Sequence, residues 1–323
     1  MTVRAITLAA AMLCGACGNS WIGQTSEARE QPRLEVIDVS TVPRDTVTLP
    51  NQDGSIKFAV IGDSGRGWPP QHEVAAQMVA YRQRFDYRFV LMAGDNVYEG
   101  PATPEDYRLK FEEPYKLLLD AGVRFYAVLG NHDDPQQIHY KPFNMDGHRY
   151  YTFVPPVDLP ARLDTRVRFF ALDSTNLDGE QMRWFEHEAA ESRAEWKIVL
   201  LHYPLYTSGR YALQSRATRF TLESSFVNGG IDVVFSGHEH LYNRSEPQKG
   251  ILYFVSGAAG SLREGDGGRT STIARSYAAD FHFMLVEIAD DAFYFQAINR
   301  KGETIDAGSL RAVPATVDTA ARR

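Results

Sequence analysis

Cysteine is nearly absent from this chain of 323 residues: the two present, Cys14 and Cys17, both stand near its start. Disulfides therefore cannot stabilise the body of the protein, and thiolates cannot hold metal ions there. A redox or zinc Cys-x-x-Cys would need a folded context that such a leader lacks. Lysine and arginine never form a long block, and the net charge is −7 with a pI of about 5.7. Nucleic acid as a structural partner and polybasic membrane binding are without support. The apolar run Ala5–Leu13 is too short to span a bilayer, and no other stretch is apolar enough, so a soluble mature chain is expected. Against these absences stand 44% hydrophobic and 12% aromatic residues, enough for a substantial core.

The first residues have the form of an export signal over 1–17. Arg4 supplies the positive region, Ala5–Leu13 the apolar one, and Cys14-Gly15-Ala16 the small residues before a cleavage point. Cys17, between Gly-Ala and Gly-Asn-Ser, resembles the cleavage box of bacterial lipoproteins, although Cys14 occupies a position where Leu is usual. That resemblance implies a lipid on Cys17 and attachment in the periplasm or outer envelope; ordinary secretory cleavage is the alternative. Residues 18–54 have the composition of a polar tether with short extended segments, Leu34–Val39 and Thr46–Leu49. Residues 55–308 are expected to form the folded domain and 309–323 a loose tail.

Within the domain, β-rich runs alternate with helical stretches. Strands are expected at Lys57–Gly62, Arg88–Gly94, Arg124–Gly130, Tyr150–Val154 and Arg166–Asp173 (these two in a more antiparallel part), Lys197–Leu201 and Ile231–Ser236. Helices are expected at about 71–84, 104–121, 178–192 and 212–228, with Asp178 as an N-cap. After Ile251 the strands follow one another closely (251–256, 281–288, 293–299), with Asp290-Asp291 as a turn. The fold class is α/β: two mixed β-sheets packed face to face with helices on the outside. Gly257–Gly268 has the composition of a mobile loop.

Five motifs follow the ends of apolar runs: Gly62-Asp63-Ser64-Gly65, Gly94-Asp95-Asn96-Val97-Tyr98, Gly130-Asn131-His132-Asp133, Leu201-His202-Tyr203-Pro204 and Gly237-His238-Glu239-His240. In open α/β sheets ligands collect at the carboxyl ends of strands, so these segments are expected to converge. Singly, each residue has a plain alternative: Asp63 and Asp95 as turn formers, Tyr98 as a half-buried aromatic, Asn131 as a turn residue, His202 as a core histidine. Together they supply donors for two metal ions, which about 3.5–4 Å apart can clamp the attacking and leaving oxygens of a phosphoryl displacement. Asp95 is the candidate bridge. Asp63, Tyr98 and one histidine would complete one ion; Asn131, His202 and another histidine would complete the second.

These motifs resemble those of the calcineurin-like metallophosphoesterase superfamily, and specifically its purple acid phosphatases of the small single-domain type, over about residues 55–300. The usual first motif is Asp-x-His, where this chain has Asp63-Ser64-Gly65. The usual second motif is Gly-Asp-x-x-Asp, where this chain ends on Tyr98. A neutral histidine is lost and a phenolate gained. Asp63, Asp95, a Tyr98 phenolate and one hydroxide carry four negative charges, which two divalent ions would only neutralise; Fe(III) plus a divalent ion restores a net charge of plus one. The resemblance implies the same: Fe(III) with Fe(II), Zn(II) or Mn(II), a metal-held hydroxide as nucleophile, His240 on iron and His238 on the second ion. It also implies that His132 contacts the phosphate and leaving group, with Asp133 orienting it.

The expected activity is that of an acid phosphatase hydrolysing small phosphomonoesters. A phosphodiesterase or nucleotidase with two divalent ions, and a catalytically inactive envelope lipoprotein, are the alternatives. Small mammalian members carry a second histidine in the loop after His-Tyr-Pro; Leu205–Leu213 contains none, but offers Arg210 as a candidate holder of a phosphate oxygen, beside Asn131 and His132. His72, His148, His187 and His282 are expected to be surface or structural residues, His139 to rim the pocket, and Gly257–Gly260 to form pocket wall. Trp68 would either cover the mouth or pack as core or staple.

Overall fold

The computed structural model describes residues 32–154 and 166–311. The expected leader 1–17, the first part of the expected tether, and residues 155–165 and 312–323 lie outside these. Two seven-stranded sheets form the centre. The first runs, in spatial order, β1 (Arg33–Val36), β14 (Thr304–Arg311), β13 (Ala292–Asn299), β12 (His282–Ala289), β2 (Ile56–Ile61), β3 (Phe89–Met92) and β4 (Arg124–Ala127). The second runs β11 (Ile273–Tyr277), β9 (Tyr242–Ser245), β10 (Leu252–Ser256), β8 (Val233–Ser236), β7 (Trp196–Leu200), β6 (Val167–Ala171) and β5 (Tyr151–Phe153). β2-β3-β4 are parallel, as are β6-β7-β8 and β8-β10; the flanks are antiparallel.

The two-residue period of a strand builds the layers. Phe58 and Val60 of β2 enter the cluster between the sheets with Phe89, Phe169, Trp196, Phe235, Phe254 and Phe293. Their neighbours Ala59 and Ile61 face the other way, toward Val74, Ala75 and Met78 of α1 (Pro69–Arg82) and Tyr115 and Leu118 of α3 (Glu113–Asp120). On the second sheet, Phe170, Val199 and Val234 meet Phe185 and Ala189 of α4 (Gly179–Glu191) and Leu222 and Phe226 of α5 (Ala212–Asn228). Asp178 caps α4, accepting from the Gln181 N–H at 2.8 Å. Asp290-Asp291 joins β12 to β13, whose register closes at Ala289 opposite Ala292.

Several expected boundaries are corrected. The folded unit starts before residue 55, because β1 pairs along β14, and it extends past 308, because β14 runs to Arg311. Polar and small residues hide these strands: Asp306 of β14 is buried as the acceptor of Tyr242 Oη at 2.8 Å and Arg244 Nε at 2.6 Å, a pairing made across the two sheets. The helix expected over 104–121 is broken. α2 (Pro104–Tyr107) passes through a π-helical turn, Arg108–Glu112, into α3. Pro114 has no N–H for the Lys110 carbonyl, and Gln71 Nε2 takes its place at 2.7 Å. Gly257–Ser261, the start of the expected mobile loop, is buried and hydrogen-bonded, Gly257 N–H to Leu241 O and Ala259 N–H to Gly62 O.

Candidate metal centre

The five motifs leave the carboxyl ends of β2, β3, β4, β7 and β8, at adjacent edges of the two sheets. Three of their residues have left-handed backbone: Asp63 (φ 54°), Asp95 (φ 53°) and His238 (φ 69°). Such conformations cost a non-glycine residue about 1–3 kcal/mol and persist where the surroundings enforce them. Here neighbouring motifs do so. Asp63 N–H donates to Gly94 O at 3.0 Å, His238 N–H to Asp63 Oδ2 at 2.8 Å, and His132 N–H to Asp95 Oδ1 at 3.0 Å. Gly94 (φ 86°) admits His202 at close range: a Cβ there would lie 2.5 Å from His202 Nδ1.

The seven expected donors form two sets that share Asp95. In the first, Tyr98 Oη is 3.3 Å from Asp63 Oδ1 and 3.2 Å from His240 Nε2, and that nitrogen is 3.3 Å from Asp63 Oδ1. Donor atoms of Asp63, Asp95 and His240 lie within 4.8 Å of one another. One phenolic proton cannot satisfy such a triangle, whereas its edges match the ~3.0–3.4 Å between neighbouring ligands of an ion bound at about 2.1 Å. In the second set, His202 Nε2 is 3.0 Å from Asn131 Oδ1 and 3.4 Å from Asp95 Oδ1, and the His238 ring stands edge-on to His202 at 5.1 Å.

Outer contacts orient both histidines of this set. His202 Nδ1 lies 2.8 Å from the Ala93 carbonyl, so it carries the proton and leaves Nε2 for a metal. His238 Nε2 lies 3.1 Å from Gln214 Oε1, which by the same logic leaves Nδ1. Tyr211 stacks on the His238 ring at 4.5 Å.

Without a cation the charges conflict. Burial, then the Asp95 charge among smaller effects, raises the Asp63 carboxyl well above its ordinary range. Burial also works to raise Asp95, but His202, the His132 N–H and the Tyr98 hydroxyl outweigh it and lower that carboxyl. Burial followed by the Asp63 and Asp95 charges drives the Tyr98 phenol far up. Burial brings His238 down to about 3 and His240 to about 4, so both are neutral, the form that binds metals. A cluster of acids that cannot all ionise, beside neutral imidazoles, fits metal ions.

Other site expectations fare differently. Asn131 and His132 are exposed at the mouth, and the His132 ring lies 4.9 Å from that of Tyr98. Asp133 was expected to orient His132, but it is committed elsewhere. Its carboxylate accepts from Gly130 N–H (2.8 Å), Val97 N–H (3.0 Å), Asn96 Nδ2 (3.0 Å) and Gln137 Nε2 (3.0 Å), bracing the second motif against the third. Arg210 is exposed beside Tyr211. His139 is exposed at the end of the turn Pro135–His139, and among the described residues no hydrogen bond or ring contact joins it to the donors. His282 is fully buried, with Nε2 3.2 Å from Ser256 Oγ. Trp68 is 53% exposed ahead of α1, which excludes a core role.

Sequence reasoning missed four residues around the donors. Besides Gln214 these are Arg66, whose guanidinium sits 3.5 Å over the Tyr98 ring; Lys110, whose Nζ donates to Tyr98 O at 2.7 Å; and Arg263, which lies 4.9 Å over the Tyr211 ring. No local pattern marks any of them.

Residues 56–242 match the model of the calcineurin-like phosphoesterase family. The chain belongs to that family. Among curated proteins it is similar to purple acid phosphatase 17 of Arabidopsis thaliana, 28% identical over 66% of this chain and 71% of that protein. It is also similar to tartrate-resistant acid phosphatase type 5 of Oryctolagus cuniculus, 23% identical over 66% of this chain and 76% of that one. Among solved structures the fold is shared with GAP50, described as the anchor in the inner membrane complex of Plasmodium (TM-score 0.70, 18% identity, 81% of this chain and 90% of that chain). It is shared as well with the purple acid phosphatase PPD1 of yellow lupin (TM-score 0.60, 18% identity, 81% and 54%).

Proposed function

We propose that the protein is a dinuclear-metal acid phosphatase acting on small phosphomonoesters, with Fe(III) beside Tyr98 and a divalent Fe, Zn or Mn ion beside His202. The observation that carries this reading is the triangle of Tyr98 Oη, Asp63 Oδ1 and His240 Nε2 at 3.2–3.3 Å, which groups a phenol with a carboxylate and an imidazole. Asp63, Tyr98, His240 and Asp95 would hold one ion, and Asp95, Asn131, His202 and His238 the other. Bound ions would supply Lewis acidity and an activated water. The protein's own part is to orient the donors through Ala93 O and Gln214 and to present His132 at the mouth, where it can donate a proton or hydrogen bond to the phosphoryl group. Asn131 and Arg210 would steady the phosphate oxygens.

All seven donors are present and converge, which favours an enzyme over an inactive envelope lipoprotein. The leader supports export, which cell fractionation and the N-terminal sequence of the mature protein would check.

Metal analysis and a visible spectrum of the purified protein test the centre. Iron should be found with a second metal, and the tyrosine-to-iron absorption band should vanish in Tyr98→Phe. A colourless, iron-free protein at full activity would instead support the two-divalent-ion phosphodiesterase or nucleotidase.

A further inference from the structure

Glu239 stands in the chain between two expected metal donors, His238 and His240, yet its carboxylate is not part of the cluster formed by Asp63, Asp95 and His240. The side chain is fully buried. Burying a carboxylate is costly unless it is paired and hydrogen-bonded. What Glu239 binds is one short segment, 209–211. Its Oε1 accepts from the Tyr211 N–H at 2.7 Å. It also lies against the backbone of Gly209, where a Cβ would be 2.8 Å from Oε1 and nearer still to Oε2. Arg263 Nη1 stands 3.6 Å from Oε2, and its guanidinium covers the Tyr211 ring at 4.9 Å.

The segment it holds is the start of α5. Tyr211 is the N-cap of that helix, and its own side chain makes no capping bond. Glu239 places a carboxylate at this end, where the helix dipole favours negative charge. Fixing Tyr211 fixes the first turn, and the first turn carries both contacts that α5 makes with His238. The Tyr211 ring stacks on the imidazole at 4.5 Å, and Gln214 Oε1 lies 3.1 Å from His238 Nε2. The Gln214 acceptor selects the tautomer protonated on Nε2, and a shift of the first turn would remove it.

His240 is placed by different contacts. Its Nε2 lies 3.2 Å from Tyr98 Oη and 3.3 Å from Asp63 Oδ1, and its carbonyl accepts from the Arg263 N–H at 3.1 Å. None of these passes through the segment 209–211. The influence of Glu239 is therefore one-sided, reaching the histidine before it in the chain and not the one after.

We infer that Glu239 is a positioning residue for His238: it anchors the segment 209–211 and, through Tyr211 and Gln214, holds the imidazole in the orientation and Nε2–H tautomer that leave Nδ1 free. It acts through these neighbours and not as a donor itself. The inference deepens the dinuclear reading above, which sets the second ion beside His238, but the tautomer of the ring is a property of the protein alone.

The test has two arms, applied to the full chain and to Glu239→Ala, Glu239→Gln and Gly209→Ala. In metal-free protein at neutral pH, long-range proton–nitrogen NMR of the imidazoles reads the His238 tautomer. In metal-loaded protein, metal analysis and titration read the affinity for each ion. The unaltered chain should show His238 protonated on Nε2. Glu239→Ala should show mixed tautomers and bind the second ion about 10–100-fold more weakly, while the ion on the Tyr98 and His240 side stays. Glu239→Gln, whose amide oxygen can still accept from Tyr211, should recover most of the loss. Gly209 has no left-handed backbone, so Gly209→Ala acts only by pressing a methyl group on the Glu239 carboxylate. It should reproduce the Glu239→Ala result, and it stands in for that variant if Glu239→Ala does not fold. An unchanged tautomer in the alanine variants would overturn the inference, as would equal loss of both ions with a fall in Tm, the sign of a structural role alone. If the chain bound no metal, the dinuclear reading would fail, while the tautomer would still decide whether Glu239 positions His238.

Discussion

Gly65 is where this chain departs from the Asp-x-His form of the first motif, and close packing makes the departure hard to reverse. A Cβ at residue 65 would lie 2.6 Å from Val97 N and nearer still to the Asn96 carbonyl, against ordinary contact at 3.4–4 Å. The obstacle is backbone on both sides, so no side chain can swing away. Relief would require separating the first motif from the second, breaking Gly65 N–H to Asp95 O (3.2 Å) and Tyr98 N–H to Gly65 O (2.9 Å). Two such bonds at about 1 kcal/mol each, plus about 1–3 kcal/mol for overpacking, give a loss of about 3–5 kcal/mol for Gly65→Ala. In a protein of this size that lowers Tm by about 4–9 °C. Gly65→His should be worse, and because the same contact positions Tyr98, it should also lose metal at the tyrosine side instead of regaining a histidine ligand. Thermal denaturation with metal analysis checks both variants. A Gly65→His protein that melted within a degree or two of the parent and bound two metals would refute the close-approach reasoning.

Four further outcomes are expected. Asp133→Ala strands two backbone N–H groups and two side-chain amides, and should cost about 3–5 kcal/mol with or without metal; lost turnover at unchanged Tm would restore Asp133 to a catalytic role. His132→Ala should lower kcat about 100-fold, more for alkyl than for aryl phosphates, and Arg210→Ala should raise KM at constant kcat; unaltered kinetics would remove each from the site. Burial holds the His282 pKa at about 3, below the ~6.5 of an unfolded chain. Its contribution to stability is therefore complete above pH 6.5 and lost as pH falls toward 3, by up to about 1.4 kcal/mol per pH unit. His282→Gln should flatten that slope in urea titrations at pH 4 to 7, and an unchanged slope would count against it.

The sequence by itself determined the alternation of strands and helices, the α/β class and the five motifs whose side chains converge. These are readable because apolar periodicity is local and because ligand side chains sit at fixed offsets from strand ends. It did not give β9, β11 or the extent of β14, whose polar residues are tolerated inside only through partners such as the Asp306–Arg244 pair, distant in sequence. Asp133 illustrates the same limit: adjacency to His132 suggested a catalytic helper, and the carboxylate instead braces two loops. Only the tertiary structure could assign Gln214 to His238, Arg66 to Tyr98 and Arg263 to Tyr211, since each contact depends on how separate loops meet across the sheet edges. The candidate donors lie in chain-local motifs, whereas the residues that contact them are brought there by packing between separate segments, as Arg263 is brought onto Tyr211.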